Sequence, residues 1–354
     1  MKIRSFIAPA LSMLILFNLG CEKHPIELPA IYTNVKRTGL EHLSVARSFL
    51  AGAAARNKIV FAGGRTETRS DAVDIYDISS GTWDTARLSV PRASIVGAGA
   101  GTKIVFAGNF FTPEGTADIY DVVSGKWNTI KLSEARMGEA AAGAGDKILI
   151  AGGQNEKGYS KVVDIYDVKT GKWSTAQLSE ARTGLVGAGA ANKIIFAGGE
   201  NETGASRTVD IYDVITGKWT KSLLSEASPQ VAAGAGPKIL FAGGGATRDA
   251  VEIYDIITNT WAKARLSIGR SNMAAAATAN MIMIVGGTVP LPPGDVSFIP
   301  VADIYDVATN KWSTIQSVVG KGGIAGAGAG NKILIAGGFS AVLENTVDVF
   351  TLYK

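Results

Sequence analysis

Apolar and polar positions alternate in short runs along most of the chain, and the same runs return at a nearly constant interval. Between residues 184 and 219 a Gly/Ala-rich segment, "GLVGAGAA", is followed by "KIIFAGG" and then by a polar loop. "VDIYDV" comes next, and a short turn leads to a segment beginning at Trp219. Runs of this length, rich in β-branched and aromatic residues and bounded by glycine, predict four short strands.

The landmarks of this unit recur. All six tryptophans, Trp83, Trp127, Trp173, Trp219, Trp261 and Trp312, occupy one position of it, and an Asp/Glu-Ile-Tyr-Asp tetrad precedes each, centred on Tyr76, Tyr120, Tyr166, Tyr212, Tyr254 and Tyr305. Glycine doublets end the second predicted strand of every unit except the second, which has Gly108-Asn109. Two residues before each Trp stands Gly81, Gly125, Gly171, Gly217, Asn259 or Asn310. Gly and Asn tolerate positive φ best, so a tight hairpin is expected between the third and fourth strands.

Four antiparallel strands per unit, with a glycine doublet, a Tyr and a Trp at fixed offsets, resemble the kelch repeat and imply an all-β, seven-bladed β-propeller. One four-stranded blade cannot bury both of its faces, so blades stack round an axis and cover one another's aromatics. The seventh unit stops at "TVDVFTLYK", before any Trp strand, while "IYTNVKRTGLEH" precedes the first unit. Residues 30–42 are therefore expected to supply the missing outer strand of the last blade and close the ring, leaving no large unpaired edge. The Gly/Ala-rich strands belong innermost, where larger side chains would collide. "GAGAG" before Lys resembles a phosphate-binding loop, but it lacks the Gly-Lys-Ser/Thr ending and recurs in most units, which points to packing.

Composition agrees with a packed globule: 46% hydrophobic, 19% charged and 43 Gly is too apolar for disorder and too irregular for collagen. The net charge of +4 is small and no long basic run exists, which argues against a nucleic-acid partner. Lys2 and Arg4 precede the apolar stretch from Phe6 to Leu19, which is shorter than a membrane span and contains Pro9. Residues 1–20 thus read as a signal peptide. Cys21, the only cysteine, follows in "NLGC" and resembles the lipobox of bacterial lipoproteins, with Asn18 and Leu19 departing from the usual pattern. The resulting expectation is an exported protein of the bacterial envelope, periplasmic or on the outer membrane. Cys21 would be lipidated and provide a membrane anchor, residues 21–29 would form a linker, and residues 30–354 the propeller.

Seven aligned positions begin the innermost strands: Arg47, Arg92, Arg136, Arg182, Ser228, Arg270 and Lys321. In a propeller they are expected to ring the channel mouth, six of seven positively charged, and to suit a carboxylate, phosphate or acidic glycan. The alternative is that each Arg bonds backbone carbonyls or a nearby loop acid such as Glu134, Glu180 or Glu226. The loops after the glycine doublets differ in every unit and lie on the same mouth, where specificity usually sits. Phe110, Phe111, Tyr159 and Phe298 stand in these segments as candidates to stack on a sugar or anchor a partner. The opposite face carries turn lysines at 58, 103, 147, 193, 238 and 332 and hairpin lysines at 126, 172, 218 and 311, read as solvated residues that protect strand ends, with a membrane-facing role for an anchored protein as the alternative.

The residues also exclude chemistry. His24 and His42, the only histidines, precede the first inner strand, so no His cluster for a metal and no Ser-His-Asp triad can form within the ring. The copper oxidases that share the kelch fold need His ligands and a Tyr-Cys crosslink, and this chain supplies neither. No cofactor and no catalytic residue are assigned. The expected function is a binding module holding a glycan or a protein on the variable-loop face. The alternative, implied by resemblance to exported kelch propellers, is a cofactor-free epimerase or mutarotase for an acidic sugar such as sialic acid, with Glu114, Glu156, Glu200 or Glu202 moving protons. A structural scaffold in a larger envelope complex is a third reading.

Overall fold

The computed structural model describes residues 31–109, 112–226, 228–292, 294–316 and 320–354. The expected leader, Cys21 and its linker, and the pair Phe110 and Phe111, lie outside the described residues. The described chain forms seven four-stranded antiparallel sheets. In the fourth, Val186–Ala190, Lys193–Ala197, Thr208–Asp213 and Trp219–Leu223 lie side by side in chain order. Strands begin and end as the repeat predicts, because the glycine doublets and hairpin residues interrupt the apolar runs at fixed points. Gly217 in the hairpin has φ 67° and Asn310, its counterpart two blades on, has φ 57°.

The inner strands are spaced too closely for side chains between them. A Cβ on Gly328 would stand 2.6 Å from the Ala277 carbonyl oxygen of the neighbouring blade, and one on Gly52 2.7 Å from that of Gly326. The Gly/Ala composition is therefore a steric requirement of seven strands meeting round one axis. Outside this ring, each blade's second and third strands are buried and the fourth is largely exposed, as in the "iBBBB" and "ieeie" patterns of Lys193–Ala197 and Trp219–Leu223.

Packing between blades follows the aromatic landmarks. Tyr and Trp of one blade lie in register on adjacent strands, 4.9–5.0 Å apart between ring centroids in all six complete pairs. Such a pair adds about 0.5–1.5 kcal/mol beyond its buried area. Tyr212 and Trp219 pack into the core built by Ala142, Leu149, Val163 and Ile165 of the preceding blade, and the other blades repeat the arrangement.

The last blade is completed as expected. Its sheet runs Ala325–Ala329, Lys332–Ala336, Thr346–Tyr353 and then Asn34–His42 on the outside. Asn34 pairs with Tyr353 and His42 with Thr346, with one bulge between Arg37 and Gly39. Having no Tyr-Trp pair, this blade offers its predecessor Phe350, Leu352 and Val35 instead. Arg37 adds an ion pair to Asp348 at 2.7 Å.

This closure yields a direct expectation. A chain beginning at residue 43 should melt at least about 5 °C lower and self-associate, because it exposes the Thr346–Tyr353 edge and uncovers Phe350 and Leu352. Calorimetry and size-exclusion chromatography measure both effects. An unchanged melting temperature would show that the outer strand is dispensable.

Candidate functional site

The loops that follow the glycine doublets share one end of the propeller, here the upper face, with the starts of the inner strands. The six basic residues expected to ring the mouth do not face it. Arg47, Arg92, Arg136, Arg182 and Arg270 have no exposed surface, and Lys321 is 5% exposed. Each stands just before a blade's inner strand, turns into that blade and meets an aspartate of its third strand. The distances are 2.7 Å to Asp74, 3.4 Å to Asp118, 2.7 Å to Asp164, 2.6 Å to Asp210, 2.8 Å to Asp303 and, for Lys321, 3.6 Å to Asp348.

The reason is energetic. A guanidinium at the start of a packed strand is stripped of water at a cost of several kcal/mol unless a carboxylate and further acceptors replace the lost hydration. Arg182 also donates to the Thr208 carbonyl oxygen at 2.8 Å and to that of Phe196 at 3.4 Å. Burial lowers the Arg182 guanidinium from its ordinary range, and Asp210 and Glu180 pull it back. The acid partner is thus internal; among the loop acids proposed as alternatives, Glu134 comes within 3.9 Å of Arg136, while Glu226 pairs with Arg265, outside this set, at 2.7 Å. In place of the expected ring at the mouth, these residues are enclosed: the Nε atoms of Arg47, Arg92, Arg136 and Arg182 are unbonded but buried, and none of the five guanidinium groups is exposed at the mouth.

What they do instead is pin the chain between blades. Asp210 accepts the backbone N–H of Ser179 at 2.9 Å with one carboxylate oxygen and Arg182 with the other. The carbonyl of Arg182 in turn accepts the N–H of Gly153 from the preceding blade at 2.9 Å. The "Leu-Ser-x-x-Arg" links ending at Arg92 and Arg182 are therefore tied backward through the arginine carbonyl and forward through its side chain. Gly338 to Arg47, at 2.9 Å, makes the same tie across the ring closure.

The fifth blade departs twice. Ser228 does not take the arginine position; its φ of 61° puts it at the left-handed residue that is Gly138, Gly184 or Gly323 elsewhere. The third-strand acid is Glu252, whose longer side chain accepts the N–H groups of Ser225 and Glu226 at 2.6 and 3.0 Å and so holds the link directly.

With the arginines internal, the mouth is mainly apolar. A depression of about 260 Å³ is lined by Leu50, Ile95, Leu185, Ile324 and Gln230 above the inner strands. Beside it, Phe49, Phe339 and Phe298 form a cluster, with ring centroids 5.8 Å apart for Phe49 and Phe339 and 5.7 Å for Phe298 and Phe339. Gly323 makes room: a Cβ there would stand 2.9 Å from the Phe339 ring and 3.4 Å from that of Phe49. Phe49 is 36% exposed, and Val342 and Leu343 beside Phe339 in sequence are exposed at 66% and 38%. Its φ of 53° is the left-handed conformation that other blades give to Gly, Ser or Asn. A bulky side chain there is rare and costs on the order of 1 kcal/mol or more.

Of the loop aromatics singled out, Phe298 joins this cluster, on a strand Asp295–Phe298 that pairs with Thr288–Leu291. Tyr159 lies apart, half-buried on a two-residue strand pairing with Gln154–Asn155. Glu156, Glu200 and Glu202 are exposed on the loops, and Glu114 accepts from Gly115 and Thr116. None of these four forms an ion pair with arginine among the described residues. Nor does any group of three His, Cys, Asp or Glu among them stand close enough to hold a metal.

One residue escaped the sequence reading. Glu139 occupies the position of Leu50, Ile95, Leu185 and Ile324, yet its carboxyl packs over Gly108, with both oxygens buried and no hydrogen-bond partner in another residue. Burial pushes it up to about 7, its own backbone N–H, Arg136 and Arg92 pull it down, and Asp164 adds a smaller upward push. The signal was present: "ARMGEAA" carries an acid where the other links carry an aliphatic, next to the one unit with Gly108-Asn109.

On the lower face, five of the six turn lysines are neutralised by the aspartate that ends the third strand. Lys58–Asp77, Lys103–Asp121, Lys193–Asp213 and Lys238–Asp255 pair at 2.6–2.7 Å, Lys147 pairs with Asp167, and Lys332 bonds Thr351. The lysine hydrogen bond holds Asp77, Asp121, Asp167 and Asp213 at about 2.

Seven sheets closed round an axis, with uniform inner strands and divergent upper loops, define a β-propeller built as a repeat protein. The chain belongs to the kelch-repeat family: residues 94–287 match the KLHDC2/KLHL20/DRC7 Kelch-repeats domain and residues 269–318 match the Kelch motif. No curated protein matches it. Among solved structures, "Structure of YjhT" superposes with a TM-score of 0.56 at 16% identity, covering 88% of this chain and 95% of that one. At that identity the likeness is one of fold.

Glu139 makes stability depend on pH. Between its ordinary value near 4.5 and about 7, the folded protein holds a proton that the unfolded chain has released. Stability therefore falls as pH rises through this window and levels off above it, by up to about 3 kcal/mol. Glu139→Leu should remove that slope, so its advantage in melting temperature over the natural chain should be larger at pH 7.5 than at pH 4.5. Equal differences at the two pH values would contradict the assignment.

Proposed function

We propose that the protein is a binding module whose upper face holds a partner through Phe49, Phe339 and Phe298 and the adjoining Val342 and Leu343. The observation that carries this reading is Phe49. A packing residue gains nothing from a left-handed backbone and partial exposure, whereas a ring held outward beside a depression offers a stacking surface. The partner class is a neutral glycan presenting its apolar sugar face or a protein presenting an apolar side chain. Export through residues 1–20 and anchoring through Cys21 remain part of the proposal and place the module in a bacterial envelope.

The second reading is the cofactor-free epimerase or mutarotase acting on an acidic sugar. In its favour, Glu139 sits close to neutrality, which suits a proton carrier. Against it, that carboxyl is buried, and the arginines that would hold the substrate carboxylate are paired to aspartates. Such an enzyme would have to open the boundary between the second and third blades.

The test is a thermal-shift panel of neutral glycans, acidic sugars and phosphates against the natural chain and Phe49→Gly. A ligand at a hundredfold excess over Kd stabilises by about 2.7 kcal/mol. Glycine accepts φ 53°, so the variant should keep its melting temperature to within about 1 kcal/mol of stability. A neutral glycan should shift the natural chain and not the variant. A shift by an acidic sugar that survives Phe49→Gly would favour the second reading. No shift by any sugar would leave a protein partner, to be sought by cross-linking that Phe49→Gly abolishes.

A further inference from the structure

Three of the hairpins on the lower face end in exposed aliphatic side chains: Val123 at 67%, Ile215 at 79% and Ile257 at 76%. The same turn position is Ser79, Lys169 or Ala308 in other blades, so the hairpin itself does not call for an apolar residue. The backbone N–H of each tip donates to the aspartate that opens the turn, Val123 to Asp121, Ile215 to Asp213 and Ile257 to Asp255, at 2.9–3.0 Å. That bond fixes the turn and keeps the side chain pointing away from the blade.

Charge on this face is unevenly compensated. The aspartates are consumed by the turn lysines and by the hairpin N–H groups, and Asp146 is taken by Lys169 at 2.9 Å. Lys126, Lys172 and Lys218, exposed in the hairpins of the second, third and fourth blades, form no ion pair among the described residues. Apolar tips flanked by unpaired lysines, on hairpins whose own aspartates are already paired, complement an anionic layer with an apolar interior. Ile31 and Tyr32 lie on this face too, Tyr32 bonded through its N–H and carbonyl to the side chain of Asn280.

We propose that the lower face of the second to fifth blades docks on an anionic lipid surface, with Val123, Ile215 and Ile257 entering the interfacial layer and Lys126, Lys172 and Lys218 meeting lipid phosphates. This docking is independent of the lipid anchor and of the upper-face reading, and it turns the upper face away from the membrane.

The test uses residues 31–354, which contain the whole closed ring and no anchor. They are sedimented with vesicles of phosphatidylcholine alone or of phosphatidylcholine and phosphatidylglycerol in equal parts. Binding is expected to the anionic vesicles only and to weaken with added salt. Exchanging Lys126, Lys172 and Lys218 for Glu should weaken it by at least about fivefold per lysine, and Ile215→Ser with Ile257→Ser should abolish sedimentation. All these positions are exposed, so melting temperatures should stay constant and separate lost docking from lost folding. Absence of sedimentation with anionic vesicles, binding unchanged in both variant sets, or burial of these tips in a dimer of the free protein would overturn the proposal. None of these results would bear on the sugar panel.

Discussion

A buried ion pair between the residue that opens a blade and the aspartate in its third strand is the interaction on which this ring depends. Packing of aromatics between blades supplies much of the adhesion, but apolar contact is non-directional and would tolerate several registers. The Arg182–Asp210 pair does not, because Asp210 also receives the N–H of Ser179 while the carbonyl of Arg182 receives that of Gly153. Three elements from two blades meet at one pair of side chains. Breaking such a pair leaves an uncompensated buried charge and costs about 3–5 kcal/mol.

That constraint also shapes the upper face. With the cationic groups turned inward, the mouth is left to aliphatic residues, backbone and the phenylalanine cluster, so recognition there rests on shape and apolar contact. Uniform links between blades leave the upper loops free to differ, and they do: among the described residues, the loops of the third, fourth and sixth blades carry short paired strands. The two faces thus separate their tasks, divergent recognition above and a repetitive, cationic and partly apolar surface below.

Much of this was legible in the sequence. Trp83 to Trp312, the tetrads and the glycine doublets report blade number, hairpin geometry and the missing seventh Trp strand, because each landmark answers a local demand: a left-handed turn residue, a crowded axis, a face to cover. The arginines were recognisable as a set but not in their direction, which is decided by the third strand some thirty residues away. The clue lay in the fifth blade, where arginine and aspartate are lost together and Glu252 replaces the acid. Ser228 was misaligned because that link is shorter, and only backbone geometry reveals its left-handed position. Phe49 was invisible for the same reason, since nothing in "ARSFLAG" distinguishes a strained phenylalanine from a relaxed one.

The central claim is that the ring of basic residues holds blades together and does not hold a ligand. A double-mutant cycle on Arg182→Met and Asp210→Leu, followed by urea unfolding, tests it most directly. The account predicts single losses of about 3–5 kcal/mol and a double variant far more stable than their sum, because the second change removes the stranded charge. Additive losses, or an Arg182→Met chain as stable as the natural one, would contradict it.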